Sequence, residues 1–554
     1  MAMGKKVLLS GVLGAVALAG SMAVVYAQNQ KKEELPPPPP ITKEEMEIAK
    51  QIYFDRCAGC HGTLRKGATG PKLTPDRTRQ LGTESLKVFI TYGTPGGMPD
   101  WGRQGILSDK EIDILARFLQ HDPPAPPELS LADLKKTWKV YVPPEKRPKK
   151  PEHDRNWQNF MGVILRDVGK VAIIDGDTKE LVNIVDTGFA VHIIRYSASG
   201  RYMYTIGRDG KATIVDLWMK KPDTVAEVKA CNDARSIDSS KYKGPKGDFL
   251  DKYAIIGCYW PPMMVILDGQ TLEPLKLIST SSYTYDTNEF VREARVASIV
   301  ASHHDPEWIV NIKETGQIWL VDYSNIKAPR ITMIEAERFL HDGGWDASKR
   351  YFLVAANFRN KVSMVDTKEK KLVANIETGK IPHPGRGANF IHPQYGPVWC
   401  TGHLGENTIA CIGTDPKRKE YFAKVVAKVE LPGEGGGNLF IKTHPKSENL
   451  WVDRPLNPDQ KLQRSVTVLD KNTLKVKAQI EIPPEFQGRA VHPEYNKDGT
   501  EVWISVWGKK GEPEKQAILV YDDKTLKLKH VIRGDWVATP AGRFNVYNTM
   551  KDIY

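Results

Sequence analysis

The residues that most directly indicate chemistry are two cysteines and a histidine near the start of the chain, in the order Cys57-Ala-Gly-Cys60-His61. Two thiols separated by two residues can add to the two vinyl groups of one haem, and the histidine that follows is placed to bind its iron. A redox pair of cysteines or half of a zinc site would use the same spacing, but the chain has no second CxxC. The motif therefore predicts a covalently attached haem c.

The opposite ligand of this iron is expected to be a soft donor on a later loop. Met98 lies 37 residues after His61, in the run Pro95-Gly-Gly-Met98-Pro99. Proline and glycine hold this methionine on a rigid turn, whereas a core methionine would more often fall within an apolar period. We therefore predict His61 and Met98 as the axial ligands of haem c.

Histidines also stand on tight loops much later in the chain. His341 lies between Leu340 and an Asp-Gly-Gly turn, and His383 lies between two prolines. Either histidine alone would more often have a structural role. Together with His192, however, they indicate a shared site.

Arginines set among small residues suit the carboxylates of a large cofactor, because a guanidinium binds a carboxylate through two hydrogen bonds. Individually, each such arginine would more often be a surface charge. The candidates are Arg166, Arg208, Arg235 and Arg386.

Two capped helices should position the first haem. Thr42 with Glu45, and Ser108 with Glu111, have the spacing of a capping box at a helix start. The second helix presents an apolar face made of Ile112, Leu115, Phe118 and Leu119. Residues 42–121 are therefore predicted to form an all-α c-type cytochrome domain.

The remainder of the chain contains eight short apolar, β-branched segments that end in Asp and a turn. They are VAIID (171–175), ATIVD (212–216), MVILD (264–268), IWLVD (318–322), VSMVD (362–366), TIACIGTD (408–415), VTVLD (466–470) and ILVYD (518–522). The closing aspartates are 41 to 55 residues apart, a period typical of a β-propeller with one four-stranded blade per repeat. We predict an all-β eight-bladed propeller over residues 155–554; two stacked β-sandwiches are the alternative.

Composition and the segments between the domains limit the class of protein. The chain has 554 residues, 26% charged, and a net charge of +12 without one dense basic stripe, which argues against a nucleic-acid reader. Its six cysteines are too few for a disulfide scaffold. Residues 1–27 are typical of an export signal, with an uncleaved membrane anchor as the alternative. The proline-rich residues 28–41 predict a flexible arm, and residues 122–154 predict a linker.

In both domains the sequence resembles the cytochrome cd1 nitrite reductases. The shared segments include CAGCHG, TPGGMPDW, GFAVHIIRYSASGRY, CYWPPMM, FLHDGGWD and GKIPHPGRGANFIHPQYGPVW, in the family's order. The resemblance implies that the propeller holds a non-covalent haem d1 and that the protein is a periplasmic homodimer. It also implies that nitrite is reduced to nitric oxide and water, with oxygen reduction to water as a side activity. Electrons would enter at haem c from a small c-type cytochrome or a cupredoxin.

Matched motif by motif, the resemblance assigns each candidate residue to one of the two haems. Haem c would be held by Cys57 and Cys60, with His61 and Met98 as iron ligands. At haem d1, His192 would bind the iron, His341 and His383 would be the distal proton donors, Arg166, Arg208 and Arg235 would bind carboxylates or line the pocket, and Tyr259 would lie beside them.

Two alternatives stay open within this interpretation. One is a paralogue that acts as a dehydrogenase in haem d1 biosynthesis, and the other is a cytochrome–propeller protein that only transfers electrons or binds a partner. Both distal histidine motifs are intact, which favours the reductase. Some members of the family place a Tyr or His ligand ahead of the cytochrome domain, but residues 28–41 contain neither, so no such ligand is expected here.

Overall fold

The computed structural model describes residues 35–67, 70–94 and 98–553. The predicted export signal lies outside these residues. The chain divides into two compact units, one formed by residues up to Tyr53 together with Cys60–Pro124, the other by Phe54–Gly59 together with the chain from Ala125 onward. Within the described ranges, no helix is both long enough and apolar enough to cross a membrane.

The N-terminal part of the chain is helical. Its helices are α1 (Lys43–Ile52), which continues into a π-helical turn (Tyr53–Cys57), α2 (Ala58–His61), α3 (Pro75–Tyr92) and α4 (Asp109–Phe118). Both predicted capping boxes are present: the backbone N–H of Glu45 donates to the Thr42 hydroxyl at 3.1 Å, and that of Glu111 donates to the Ser108 hydroxyl at 3.3 Å. The predicted apolar face of α4 is buried.

Strands dominate the second unit. Its first two blades, with one added strand, contain β1 (Lys139–Val140), β2 (Met161–Leu165), β3 (Lys170–Ile174), β4 (Leu181–Asp186), β5 (Val191–Tyr196), β6 (Tyr202–Gly207), β7 (Lys211–Asp216) and β8 (Asp223–Lys229). The next two, with two small hairpins, contain β9 (Asp233–Ser239), β10 (Lys243–Gly244), β11 (Gly247–Asp248), β12 (Tyr253–Trp260), β13 (Met263–Asp268), β14 (Pro274–Ser279), β15 (Ser282–Tyr283), β16 (Phe290–Val291), β17 (Val296–Ala301), β18 (Glu307–Ile312), β19 (Gln317–Asp322) and β20 (Arg330–Glu335).

The remaining strands complete the other four blades and close the ring. They are β21 (Leu340–Trp345), β22 (Tyr351–Ala356), β23 (Lys361–Asp366), β24 (Lys371–Glu377), β25 (Ala388–His392), β26 (Gly396–Gly402), β27 (Thr408–Gly413), β28 (Val425–Glu430), β29 (Ile441–Lys442), β30 (Asn449–Asp453), β31 (Ser465–Asp470), β32 (Val476–Glu481), β33 (Arg489–Tyr495), β34 (Glu501–Trp507), β35 (Ala517–Asp522), β36 (Leu528–Ile532) and β37 (Pro540–Asn545).

These strands form the predicted eight-bladed propeller. Each blade is a four-stranded antiparallel sheet, and one blade has the order β37-β2-β3-β4, so that the last strand of the chain closes the ring against the first blade strands. The first strands of neighbouring blades, such as β5 and β9 or β17 and β21, pack against each other around the axis. The prediction of an eight-bladed propeller is confirmed.

All eight repeated segments are third strands of blades, and their closing aspartates stabilise the turn that follows. The Asp268 carboxylate accepts hydrogen bonds from the backbone N–H groups of Gln270 and Thr271 at 2.9 and 2.8 Å. Asp470 does the same for Asn472 and Thr473. An aspartate that accepts from its own turn fixes the hairpin to the outer strand, which explains why this residue recurs.

The segment predicted to be a linker folds against the propeller. Helix α5 (Leu131–Thr137) buries Leu134 in the apolar core, and β1 pairs with the outer strand β8. The Trp138 indole donates to the Thr271 carbonyl at 2.7 Å. Two further short helices, α6 (Gln460–Gln463) and α7 (Val546–Met550), lie within the C-terminal half.

Two disulfides, which the sequence analysis did not predict, lie in the propeller. Cys231 is bonded to Cys258, and Cys400 is bonded to Cys411 on the adjacent strand. Cys57 and Cys60 take part in neither.

Candidate functional site

In the N-terminal unit, His61 has the environment of an iron ligand. Its side chain is buried, and its Nδ1 lies 2.8 Å from the carbonyl oxygen of Pro71. A donor at Nδ1 fixes the tautomer and leaves Nε2 with its lone pair for a metal. Burial lowers the pKa of His61, which keeps the ring in the neutral, metal-binding form. Met98 is described, but Pro95, Gly96 and Gly97 beside it are outside the described residues.

In the propeller, the three candidate histidines share one local construction. Each follows, two residues later, a non-glycine residue in the left-handed region: Ala190 (φ 49°) before His192, Phe339 (φ 67°) before His341, and Ile381 (φ 55°) before His383. This backbone conformation is costly for such residues and is typically maintained where function requires it. His192 and His341 are the second residues of the inner strands β5 and β21, so the same end of the propeller carries both.

His341 and His383 lie together with Asp342 between them. Their ring centroids are 5.3 Å apart. The Asp342 carboxylate lies 2.9 Å from Nδ1 of His341 through Oδ1, and 3.3 Å from Nε2 of His383 through Oδ2. The first contact is within ion-pair range, although its angles do not meet those of a hydrogen bond. The donor atoms of the three residues lie within 4.8 Å of one another.

Hydrogen bonds with neighbouring residues fix the backbone of both histidines and the ring of His383. The His383 backbone N–H donates to the carbonyl oxygen of Gly402 at 2.9 Å, and the His383 Nδ1 lies 3.1 Å from the Leu439 carbonyl oxygen. The His341 carbonyl accepts from the Ser298 hydroxyl at 3.0 Å. The two side chains are 14% and 12% exposed.

Burial and charge set the protonation of this cluster. Burial, partly offset by the Asp342 carboxylate, lowers the pKa of His341 to about 4. Burial alone would raise the pKa of Asp342, but His341, His383 and Arg235 outweigh it and hold that pKa below its ordinary range. Asp342 is therefore a fixed negative charge beside two imidazoles.

His192 has the environment expected of a metal ligand. Burial, reinforced by the positive charges of Arg235 and Arg208, holds its pKa well below the ordinary value. The imidazole is thus neutral, and a neutral imidazole is the form that binds iron.

The predicted arginines differ in their pairing. Arg208 is buried and bound by the Asp233 carboxylate through two hydrogen bonds of 2.8 and 2.9 Å. Arg235 has no carboxylate at ion-pair distance within the described part of the chain, and burial lowers its pKa. Arg166 pairs with its neighbour Asp167 at 2.8 Å.

Arg386 faces a different set of partners. Its guanidinium lies 3.7 Å from Asp238 and 3.6 Å from Asp552. Both terminal nitrogens of Arg386 are buried without a hydrogen-bond partner, so these two carboxylates leave its donors available.

Tyr259 is enclosed by cations. Its ring centroid lies 5.6 Å from the guanidinium carbon of Arg208, 5.7 Å from that of Arg235 and 5.0 Å from that of Arg295. Burial raises the pKa of this phenol, but Lys313 and the arginines outweigh burial and lower it overall. An array of this kind, with more cations than carboxylates, suits a ligand that carries several carboxylates of its own.

Three residues of the site were not predicted from the sequence: Arg295, Lys313 and Asp342. Asp342 could have been found, because it adjoins His341 in the same motif. Arg295 and Lys313 lie at the ends of ordinary strands, and no local pattern distinguishes them from surface charges.

An all-α domain with a haem-attachment motif is followed by an eight-bladed propeller with a histidine- and arginine-lined site, the combination of a c-type cytochrome with a cofactor-binding propeller. The model of the family "Cytochrome D1 heme domain" matches residues 155–549, and that of "Cytochrome C oxidase, cbb3-type, subunit III" matches residues 44–119. The chain belongs to the cytochrome D1 haem-domain family. Its cofactors are accordingly haem d1 and haem c, and the neutral His192 with its surrounding arginines fits the first of these.

Curated relatives and a solved structure extend the comparison. The chain is 52% identical to a nitrite reductase of Stutzerimonas stutzeri, over 99% of each chain. It is 25% identical to a dihydro-heme d1 dehydrogenase of Pseudomonas aeruginosa, over 90% of this chain and 93% of the other. A solved structure of such a dehydrogenase superposes with a TM-score of 0.70 at 25% identity, covering 91% of this chain and all of that one.

Proposed function

We propose that this protein is a dissimilatory nitrite reductase that forms nitric oxide. The reaction takes up one electron and two protons: nitrite, one electron and two protons give nitric oxide and water. Haem c, held by Cys57, Cys60 and His61, would supply the entry point for the electron, and haem d1, held by His192, would supply the iron at which nitrite is reduced.

The chain's own residues would attract the anion and supply the protons. Arg235, Arg208 and Lys313 make the site electropositive, which draws an anion toward it. Protons must reach the oxygen that leaves as water, and His341 with His383 can deliver them. The low pKa of His341 makes its protonated form a strong acid, and the fixed charge of Asp342 helps to keep a proton on this imidazole.

The observation that carries this proposal is the cluster of His341, Asp342 and His383 at the same end of the propeller as His192. Two imidazoles that share one carboxylate are suited to moving protons. A purely electron-carrying site does not need such a pair. The 52% identity to a nitrite reductase, against 25% to a dihydro-heme d1 dehydrogenase, supports the same choice.

Turnover by the purified protein with both haems bound tests the proposal. A chemically reduced donor and nitrite should give nitric oxide, detected with an electrode. Dihydro-haem d1 supplied without nitrite should not be oxidised at a comparable rate. Dehydrogenation without nitrite reduction would instead identify a biosynthetic enzyme, and neither reaction would identify a carrier.

The setting proposed for this activity is the periplasm, where the protein would work as a homodimer reduced by a small c-type cytochrome or cupredoxin. The two disulfides support an oxidising compartment. Oxygen is expected to be reduced to water as a side reaction, because the same histidines can supply protons. Sedimentation of the mature protein and reduction kinetics with each class of donor test these points.

A further inference from the structure

Lys313 lies at the same end of the propeller as the histidines, between two neighbouring blades. It follows β18, whose last residue, Ile312, pairs with Val296 at the start of the inner strand β17. Its backbone N–H donates to the Arg295 carbonyl at 2.9 Å, and its own carbonyl accepts from Phe339 at 2.7 Å. Phe339 is the left-handed residue two positions before His341, so these backbone bonds hold Lys313 beside the histidine loop.

The side chain of Lys313 is largely buried and has no counter-charge among the described residues. Lys313 is 9% exposed. The adjacent carboxylate, Glu314, is already bound by Arg295, through the Nε atom at 2.6 Å and the backbone N–H at 2.8 Å. Among the residues that the structure describes, no carboxylate is in ion-pair contact with Lys313. A lysine that is mostly buried and has no paired carboxylate is a favourable place for an anion to bind, because the anion then supplies the missing counter-charge.

The charge of Lys313 acts on groups in both neighbouring blades. Burial is the largest influence on both Tyr259 and His341, and among charged neighbours Lys313 lowers the pKa of each. Tyr259 belongs to the blade before that of Lys313, and His341 belongs to the blade after it. Lys313 therefore lies between the arginine-ringed phenol and the distal histidine pair.

We propose that Lys313 is an anion-binding residue of the haem d1 site, and that its ammonium binds an oxyanion, either a carboxylate of haem d1 or nitrite itself. The assignment rests on the proposed function. Both sources present the same chemistry, a planar group with two oxygens that accepts hydrogen bonds from an ammonium. Removal of the Lys313 charge distinguishes them, because it should weaken haem d1 binding in the first case and nitrite binding in the second.

The test compares Lys313→Met, which keeps the length of the side chain, with Lys313→Arg, which keeps the charge. Lys428→Met is the control, because Lys428 is 46% exposed on an outer strand and pairs with Glu406. Two quantities are measured: haem d1 bound per haem c, from the absorption spectrum, and the nitrite affinity of the oxidised, haem-loaded protein, by spectral titration.

If a cofactor carboxylate is the partner, Lys313→Met should retain haem d1 about tenfold more weakly. If nitrite is the partner, haem d1 content should be unchanged and nitrite affinity should fall about tenfold. In either case Lys313→Arg should recover most of the loss and the control should match the wild type. Wild-type values for both quantities in Lys313→Met would overturn the proposal.

Folding and the proposed function are checked separately. Thermal unfolding of the variants without haem d1 shows whether the propeller is intact, and Lys313→Gln replaces Lys313→Met if that variant does not fold. A wild-type protein that binds neither haem d1 nor nitrite would contradict the proposed function. If the wild-type protein binds haem d1 and nitrite, and the folded Lys313→Met variant binds both equally well, only the role of Lys313 is contradicted.

Discussion

Oδ1 of Asp342 lies 2.9 Å from Nδ1 of His341, the residue immediately before it in the chain. The same carboxylate reaches His383 from the next blade with its other oxygen, at 3.3 Å. One acidic group thus serves two histidines from different loops. Its negative charge opposes the effect of burial on His341, so Asp342 is the group that adjusts how readily His341 holds a proton.

Asp342→Asn should move the activity–pH profile to lower pH. If a protonated His341 donates to the substrate, activity falls as the pH rises through its pKa. Burial, partly offset by the Asp342 charge, sets that pKa at about 4, so removal of the charge should lower it further, by about one unit or more. The profile is measured with haem-loaded protein, and Asp186→Asn, on an exposed carboxylate, serves as the control. An unchanged profile would show that Asp342 does not act on the proton donor.

Replacement of the distal histidines should remove nitrite reduction and leave cofactor binding intact. His341→Ala and His383→Ala should each lower the rate per bound haem d1 by about a hundredfold or more, because each removes a proton donor. The double variant should lose little more than the weaker single variant, since the two act as a unit. Reduction of haem c by the donor is the internal control. A near-normal rate per haem d1 in both single variants would leave these histidines a structural role only.

The architecture could be predicted from the sequence because its signals are local and repeated. The closing aspartates recur because the third strand of each blade is followed by the same turn. The hydrogen bonds of Asp268 and Asp470 show that turn directly. The capping boxes at Thr42 and Ser108 are equally local, because donor and acceptor are three residues apart. By contrast, the pairing of Cys231 with Cys258 depends on how strands meet, and a count of cysteines carries no information about it.

The site was only partly predictable, for a related reason. His192, His341 and His383 lie in segments that interrupt the repeat, which made them visible. Lys313 lies in the site only because three successive blades pack together, which no local sequence pattern shows. Its neighbour Glu314 accepts a hydrogen bond from Arg295. The sequence alone does not show whether Glu314 pairs with Arg295 or with Lys313, so it does not show which cation lacks a carboxylate partner.

His192→Ala should cost haem d1 retention while the propeller still folds. The imidazole is kept neutral by burial and by Arg235 and Arg208, as an iron ligand requires, and the blades have their own apolar cores. Haem d1 per haem c after gel filtration measures retention, and the spin state of the iron reports its ligand. His304→Ala, on an exposed histidine, is the matched control. Full retention with an unaltered spin state would remove His192 as the ligand.

Met98→Ala should leave haem c attached but change the ligand and the reduction potential of its iron. Cys57 and Cys60 hold the haem covalently, and His61, fixed by its contact with Pro71, still binds from the other side. Loss of a thioether ligand should lower the reduction potential, since a His/Met pair raises it, and electron delivery to nitrite should slow. The potential is measured by redox titration of the haem c bands, with Met333→Ala, on a side chain that is 58% exposed, as the control. A haem c spectrum and potential equal to those of the wild type would mean that another residue binds the iron opposite His61.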